Sequence, residues 1–345
     1  MVAEITDESS GDKAIRIAVL GAGSWGSALA MQLARSGAHC VLWGRSPEHV
    51  ALMKKSGRNE RFLPGIAFPE NLAFESTLEQ ALASTDEVLI AVPTSAFTAV
   101  LDNVAASLRD GQGVSWASKG LEPGSGRFLH QAAQSRLGKE RALAVVTGPS
   151  FALEVARSLP TAVTVAGTDE KYCRKIAQAL HGGSFRAYTS ADIVGAELGG
   201  AVKNVLAVAT GISDGLSFGN NARAALITRG LAEMMRLGRA LGARDQTMIG
   251  LAGIGDLVLT STGELSRNRR LGLALGAGKS VDTAVKEIGQ VVEGVSTSAE
   301  VWRLAQRYNI EMPISEQVYG IIHLGLNPRQ CVRELLSREQ KSESS

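Results

Sequence analysis

The chain has 345 residues, which is long enough for two domains, and 45% of them are hydrophobic, as in an ordinary globular protein. Its 36 Lys and Arg residues nearly balance 34 Asp and Glu residues, and no basic block stands out, so the charge argues against a nucleic-acid partner. Three cysteines, far apart and without metal-ligand spacing, predict reduced thiols in the cytoplasm and no metal site.

A strand, a glycine-rich turn and a helix begin the predicted fold. The β-branched apolar run at residues 15–20 leads into Gly21, Gly23 and Gly26, which have the spacing G-x-G-x-x-G, and an Ala- and Leu-rich helix follows. Here Gly21 permits the tight turn, Gly23 lets the backbone approach a pyrophosphate, and Gly26 lets the helix pack on the strand. The pattern predicts a dinucleotide site, with a purely structural strand-to-helix turn as the alternative.

Short apolar runs alternate with helical patterns from Ile15 to about Ser190. The predicted strands lie at residues 15–20, 40–43, 87–92, 113–117, 142–146, 161–166 and 185–189. Continuous apolar strands that alternate with helices form a parallel sheet covered on both faces. We therefore expect a doubly wound, Rossmann-type α/β domain over residues 1–190.

The remaining chain, residues 191–345, shows a different pattern and predicts an all-α domain. Long stretches of 3.6-residue periodicity lie at 192–214, 221–241, 281–286, 297–308 and 315–324, and no further strand is predicted. The most apolar stretch, residues 194–212, is interrupted by Glu197 and Lys203, so it predicts no membrane span. Residues 1–13 lack a signal-like apolar core, and both they and residues 337–345 are typical of polar tails.

The residues after the second strand bear on the kind of dinucleotide. Ligands of open α/β sheets bind beyond the carboxyl ends of the strands. An NAD site usually has Asp or Glu at this point, whereas this chain has Arg45 and Ser46. The planar donor fork of Arg45 suits a ribose 2′-phosphate, although an exposed loop arginine is the alternative.

Two further strand ends carry candidate substrate ligands. Lys119 follows the strand at 113–117, and Gly148 and Ser150 follow the strand at 142–146. Gly148 and Ser150 offer backbone and hydroxyl donors at the start of a helix. From position alone, Lys119 could equally be a surface charge, and the other two could mark an ordinary helix start.

One predicted helix of the second domain is apolar nearly all round yet carries Lys203 and Asn204. Gly199 and Gly200 lie one turn before them, and glycines cost helix stability unless something packs closely on them. A desolvated lysine has a lowered pKa and can exchange protons near neutral pH. This favours a catalytic Lys203, with a lysine that extends to the helix edge as the alternative.

Three polar groups follow further along the chain. Asp256 lies in a glycine-rich turn, Ser266, Arg267 and Asn268 supply the donors that hold a phosphate, and Glu293 stands beside a glycine. The basic cluster could instead be a solvated helix start. Spacing alone does not decide whether Glu293 contacts a cofactor.

The chain resembles the bacterial NAD(P)-dependent glycerol-3-phosphate dehydrogenases in eight motifs, which follow one another in the same order. They are GAGSWG, SKG, GPSFA, the AVKN helix, NARAALITRG, AGIGDL, SRNRRLG and VVEG, and the resemblance runs from about Ile15 to Leu336. It implies the reversible reduction of dihydroxyacetone phosphate to sn-glycerol 3-phosphate by NADPH or NADH, for phospholipid synthesis. It also suggests a homodimer.

The resemblance implies roles for single residues. Lys203 would be the acid/base group that protonates the developing alkoxide. The substrate would also contact Lys119, Gly148, Ser150 and Asp256, with its phosphate on Ser266, Arg267 and Asn268. The cofactor would be bound by the loop glycines Gly21, Gly23 and Gly26 together with Ser24, Trp25, Arg45, Lys119, Ala152, Arg267, Val291 and Glu293.

Two other functions are alternatives to this one. A dehydrogenase of the same build that acts on a 3-hydroxy acid or sugar acid would need a carboxylate-binding pattern in place of residues 266–268. A non-catalytic NADPH sensor would keep the glycine loop but would have no need of Lys203 or Asp256.

The residues after the second strand generate a first prediction. We expect the protein to bind NADPH more tightly than NADH, because Arg45 can pair with the 2′-phosphate that only NADPH carries. Fluorescence titration of both dinucleotides measures the two dissociation constants. Equal affinities, or a preference for NADH, would contradict the prediction.

Overall fold

A computed structural model describes residues 14–337 of the chain, except for the side chain of Leu336. The polar segment at 1–13 and nearly all of that at 337–345 lie outside the described residues. The first half forms one sheet of eight strands, flanked by helices. The strands are β1 (Arg16–Leu20), β2 (His39–Trp43), β3 (Leu72–Glu75), β4 (Glu87–Ile90), β5 (Gly113–Trp116), β6 (Leu143–Thr147), β7 (Thr161–Gly167) and β8 (Phe185–Ser190).

The sheet has the order β3-β2-β1-β4-β5-β6-β7-β8, and its first six strands are parallel. The order 3-2-1-4-5-6 is that of a doubly wound dinucleotide-binding sheet, so the predicted fold class is confirmed. The accompanying helices are α1 (Ser24–Arg35), α2 (Pro47–Ser56), α3 (Leu78–Ala83), α4 (Thr94–Ala105), α5 (Leu129–Leu137), α6 (Ala152–Ala156) and α7 (Glu170–Leu180).

Two features of the sheet differ from the prediction. Strand β3 was not predicted, because LAFE is short and only its first residue is buried. The expectation of an all-parallel sheet was wrong at its far end. Strand β7 pairs with β6 in antiparallel orientation and β8 is parallel to β7, so both run opposite to the other six strands.

The helical second half contains no strand among its described residues. Its helices are α8 (Ile193–Gly215), α9 (Gly219–Ala240), α10 (Asp245–Met248), α11 (Asp256–Thr262), α12 (Arg267–Gly276), α13 (Val281–Ile288), α14 (Glu293–Tyr308), α15 (Pro313–His323) and α16 (Pro328–Leu336), with a π-helical turn at Leu251–Gly255. The sequence pattern predicted α8, α9, α13, α14 and α15 but not α10, α11, α12, α16 or the π-helical turn. By length and hydropathy α8 alone among the described helices could span a membrane, but 94% of its most apolar window is buried inside the protein.

The reversed direction of β7 and β8 determines where α8 runs. Strand β8 ends at the edge of the sheet opposite the carboxyl ends of β1 to β6, and α8 starts three residues later. Asp192 caps α8 by accepting a hydrogen bond from Gly195 N at 2.8 Å, and its other oxygen accepts one from Arg244 N at 2.8 Å. At about 1.5 Å per residue, the ten residues from Ile193 to Lys203 span about 15 Å, roughly the height of the sheet. Lys203 therefore reaches the ligand-binding edge.

Helices α8 and α12 cross through glycines on both sides. A Cβ atom on Gly211 would collide with the carbonyl oxygen of Arg269, and one on Gly215 would lie 2.5 Å from the carbonyl oxygen of Leu273. Gly272 and Gly276 of α12 are equally close to the backbone of α8. The two helices are thus packed backbone to backbone, and α12 is held along the C-terminal part of α8.

This crossing generates a stability prediction. Gly211→Ala should lower the free energy of unfolding by about 1–3 kcal/mol, because the added methyl group forces the two helix backbones apart. The measurement is urea unfolding followed by circular dichroism.

Gly238→Ala in α9 is the matched control for that variant. A Cβ atom there would lie 3.4 Å from Leu198 Cδ2, an ordinary contact distance, and alanine has the higher helix propensity. Its stability should therefore be unchanged or slightly raised. If Gly211→Ala is as stable as the control, the close crossing does not contribute in the way we describe.

Candidate active site

The glycine loop between β1 and α1 has the geometry of a phosphate cradle. Gly21 has φ +124°, a conformation that side chains rarely adopt, and its N–H bonds to the carbonyl oxygen of Trp43. A Cβ atom on Gly26 would collide with the carbonyl oxygen of Gly21, whereas the Cβ position of Gly23 has no atom within 4 Å. The open space beside Gly23 faces the N-terminus of α1, which no side chain caps. A pyrophosphate fits there.

The residues next in the loop are consistent with this fit. The indole N–H of Trp25 is buried and has no partner among the described residues, so a donor is left for a bound group. Ser24 Oγ donates to the carbonyl oxygen of Phe62 at 3.0 Å, which leaves its backbone N–H for a phosphate. Arg45 is exposed at the end of β2 and forms no ion pair within residues 14–337, so it is free to meet a 2′-phosphate. Ser46 is used to cap α2.

A carboxylate buried between two lysines forms the centre of the opposite wall. Asp256 Oδ1 lies 2.5 Å from Lys203 Nζ, and Asp256 Oδ2 lies 2.8 Å from Lys119 Nζ. Asp256 is 1% exposed and Lys203 is 6% exposed. Three distant parts of the chain, the end of β5, the middle of α8 and the start of α11, meet at this point.

Burial governs the charges of this cluster. It lowers the pKa of Lys203 from 10.5 to about 7, although the Asp256 carboxylate acts in the opposite direction. For Asp256, burial alone would raise the pKa, but the ammonium groups of Lys119 and Lys203 outweigh it and hold the pKa below its usual value. Lys203 can therefore exchange a proton near neutral pH while Asp256 remains a carboxylate.

Thr260 is a member of the cluster that the sequence analysis missed. Its hydroxyl accepts from Lys203 Nζ at 3.0 Å and donates to Asp256 Oδ1 at 3.3 Å. Thr260 lies four residues after Asp256, which places both side chains on one face of α11. The four-residue spacing could have identified Thr260 only if the segment had been predicted as a helix, and α11 was not predicted.

Lys119 also joins the ends of β5 and β6. Its Nζ donates to the carbonyl oxygen of Gly148 at 2.8 Å and lies 3.5 Å from Ser150 Oγ. Ser150 Oγ in turn donates to the carbonyl oxygen of Gly148 at 2.9 Å. The structure therefore brings Lys119, Gly148, Ser150, Lys203 and Asp256 together, five of the residues that the sequence singled out.

The start of α12 lies beside this cluster. Its three polar residues differ in their exposure and in the hydrogen bonds that they already make within the protein. Ser266 is buried and its hydroxyl caps α12 by accepting from Arg269 N. Asn268 is buried, and its amide bonds to Asn204 of α8. Arg267 is exposed and lies 3.3 Å from the side-chain oxygen of Gln290. Arg267 is thus the most open of the three.

The remaining cofactor candidates lie near α4, α6 and α14. Glu293 accepts from Thr94 N at 3.2 Å and from Thr94 Oγ at 2.5 Å, which ties the start of α14 to the start of α4 at the strand ends. Val291 is exposed just before it, and Ala152 is the first residue of α6. No group of three metal-ligating side chains occurs within residues 14–337.

Enzymes that transfer hydride between a dinucleotide and a carbonyl group need a dinucleotide-binding loop and a proton-exchanging group that faces it. The fold and the site define this class, the NAD(P)-dependent dehydrogenases.

Comparison with known proteins narrows the class to a family. The family models for the N-terminus and the C-terminus of NAD-dependent glycerol-3-phosphate dehydrogenase match residues 16–173 and 192–333. A glycerol-3-phosphate dehydrogenase [NAD(P)+] of Xanthomonas euvesicatoria is 56% identical over 328 residues, which cover 95% of this chain and 96% of the relative. The glycerol-3-phosphate dehydrogenase [NAD(P)+] of Stenotrophomonas maltophilia is 55% identical over 328 residues, which also cover 95% of this chain and 96% of the relative. The chain belongs to the NAD-dependent glycerol-3-phosphate dehydrogenase family.

Solved structures agree with this assignment. The crystal structure of glycerol-3-phosphate dehydrogenase from Coxiella burnetii has 47% sequence identity and a TM-score of 0.91, with 94% of this chain and 99% of that one covered. The yeast glycerol-3-phosphate dehydrogenase shares the fold at 24% identity, with a TM-score of 0.82 over 94% of this chain and all of that one.

Proposed function

We propose that this protein reversibly reduces dihydroxyacetone phosphate to sn-glycerol 3-phosphate with NADPH or NADH and so supplies the backbone of glycerophospholipids. The observation that carries the proposal is the buried Lys203–Asp256 pair at the edge of the sheet where the glycine loop lies. The relatives' names and the match to both halves of the family support the same reaction.

Lys203 is the proton donor in the reducing direction. The bound dinucleotide supplies the hydride to the carbonyl carbon. As the carbonyl oxygen becomes an alkoxide, Lys203 Nζ donates a proton to it and becomes a neutral amine, and in the oxidising direction the amine takes the proton back. A lysine whose pKa is about 7 can act in both directions near neutral pH.

The other cluster residues position Lys203 and the substrate. Asp256 and Thr260 hold the Nζ atom of Lys203 by two hydrogen bonds, so the proton is held at a fixed point. Lys119 keeps a second positive charge close to the developing alkoxide, together with Gly148 and Ser150.

The start of α12 takes the phosphate group of the substrate. Arg267 provides an exposed guanidinium fork, which suits phosphate geometry. Ser266 and Asn268 add donors at the N-terminus of a ten-residue helix, where the helix dipole favours an anion. The same arrangement distinguishes this substrate from unphosphorylated keto acids.

On the cofactor side, the loop Gly21–Gly26 binds the pyrophosphate. Arg45 favours NADPH over NADH, because its guanidinium group pairs with the 2′-phosphate of NADPH. Trp25, Ala152, Val291 and Glu293 complete the binding surface. In this proposal residues 1–190 form the dinucleotide-binding domain, and residues from 191 onward supply the acid/base group and add Val291 and Glu293 to the cofactor surface. By its resemblance to the family, the chain is proposed to act as a cytoplasmic homodimer.

An absorbance assay of NADPH and NADH oxidation with dihydroxyacetone phosphate tests the reaction, and Lys203→Ala tests its acid/base group. We expect the variant to bind NADPH normally but to lose about 10²- to 10⁴-fold in kcat, the range for removal of a general acid. Lys286→Ala, which removes an exposed lysine of α13, is the control and should be unaffected. Near-normal turnover in Lys203→Ala would refute the assignment.

The pKa of Lys203 predicts opposite pH dependences in the two directions. Reduction needs the ammonium form, so kcat/KM for dihydroxyacetone phosphate should fall tenfold per pH unit above about 7. Oxidation needs the neutral amine, so kcat/KM for glycerol 3-phosphate should fall below about 7.

The variant Asp256→Asn provides a second arm of the pH experiment. The Asp256 carboxylate raises the pKa of Lys203, so its removal should move both breaks in the pH profile to lower pH. Initial rates between pH 5.5 and about 9.5 measure the breaks. A wild-type profile that is flat across this range would contradict the role of Lys203.

A further inference from the structure

Two buried asparagines connect the catalytic helix to the phosphate-binding helix. Asn204 is 4% exposed and Asn268 is 7% exposed. Asn268 Nδ2 donates to Asn204 Oδ1 at 2.8 Å and so joins α8 to the start of α12. Asn268 Oδ1 accepts from Gly294 N at 2.9 Å, and so the contact extends to α14.

The partners of Asn204 determine which way its amide points. Asn204 Nδ2 donates to the carbonyl oxygen of Lys119 at 3.3 Å and to that of Gly200 at 3.2 Å. Carbonyl oxygens can only accept, so the Nδ2 atom must face them, and Oδ1 must face Asn268. Both N–H groups of Asn204 are therefore used inside the protein, and none is left for a substrate.

The amide of Asn268 is oriented in the same way, but one of its donors stays free. The backbone N–H of Gly294 can only donate, so Oδ1 of Asn268 faces it. Nδ2 has two N–H groups, of which Asn204 takes one. The second has no partner within the described residues.

The close packing at Gly294 agrees with the hydrogen bond between Asn268 and α14. A Cβ atom on Gly294 would lie 2.9 Å from Asn268 Oδ1 and 3.0 Å from the carbonyl oxygen of Asn204. A side chain at this position would therefore crowd the Asn268 amide and the backbone of α8.

We propose that Asn204 is a positioning residue that orients Asn268, so that the free N–H of Asn268 binds the phosphate group of the substrate. Asn204 itself does not touch the substrate. This inference rests on the proposed function, because it needs a phosphorylated substrate beside Ser266 and Arg267. A buried hydrogen-bond chain holds an amide in one orientation before the ligand arrives, so little conformational freedom is lost on binding.

The test is a double-mutant cycle with dihydroxyacetone phosphate as the substrate. Asn204→Ala should raise KM about 10- to 100-fold, the equivalent of one lost hydrogen bond to a charged group, with little change in kcat or in the dissociation constant of NADPH. Asn268→Ala should raise KM by a similar factor. The double variant should be no worse than Asn268→Ala, because both act through one N–H group.

A volume-conserving variant separates positioning from a general loss of structure. Asn204→Leu keeps the volume of the side chain but removes the oxygen that accepts from Asn268, so KM should rise as it does in Asn204→Ala. A merely structural role predicts a KM closer to the wild-type value, because leucine fills the cavity that alanine leaves. If Asn204→Ala does not fold, the cycle is run with Asn204→Leu and Asn268→Ala.

Thr210→Val is the matched control on the same buried helix. Thr210 is 1% exposed, and within the described residues its hydroxyl bonds only to the backbone of α8, so KM should not change. Losses in KM that multiply in the double variant, or a loss confined to kcat, would overturn the inference. A wild-type protein that does not reduce dihydroxyacetone phosphate would instead overturn the proposed function.

Discussion

The site depends on one carboxylate that is shared by two lysines in a dry interior. Asp256 accepts from Lys203 and Lys119, and the three groups together carry a net positive charge next to the cofactor edge. Without the carboxylate the two lysines would lose their counter-charge, and the pKa of Lys203 would fall further. The same carboxylate therefore holds the two lysines together and sets how far burial lowers the pKa of Lys203.

Two backbone features bring the members of this contact together. The reversal of β7 and β8 lets α8 rise along the sheet from the far edge, so Lys203 arrives at the ends of β5 and β6. The glycine crossing of α8 and α12 then holds the phosphate-binding residues against the same helix. Because the crossing is made by backbone atoms, its geometry does not depend on the choice of side-chain rotamers. Asn204 and Asn268 add a hydrogen bond between α8 and the N-terminal end of α12.

Local patterns were sufficient for some parts of this molecule and not for others. The glycine loop and the lysine in an apolar helix could be predicted, since a few neighbouring residues determine each of them. The antiparallel direction of β7 could not, because a buried strand has the same apolar composition in either direction. The contacts of Thr260 with Lys203, of Asn204 with Lys119 and of Asn268 with Asn204 could not be predicted, because they join residues 57 to 85 positions apart. Thr260 also lies on a helix too short for a clear period. Ser266 was predicted from its chemistry, but its use as a helix cap is visible only in the fold.

The turn at Asp192 has a consequence for how a substrate enters. Both oxygens of this carboxylate are occupied, one by the first turn of α8 and the other by the chain that follows α9. A hinge motion that moves the helical half away from the sheet would have to break these two hydrogen bonds at the start of α8. A hydrogen bond to a charged group contributes about 1.5–3 kcal/mol, so the turn resists such a movement. A substrate therefore has to enter without it, while Lys203, ten residues further along the same helix, stays in place.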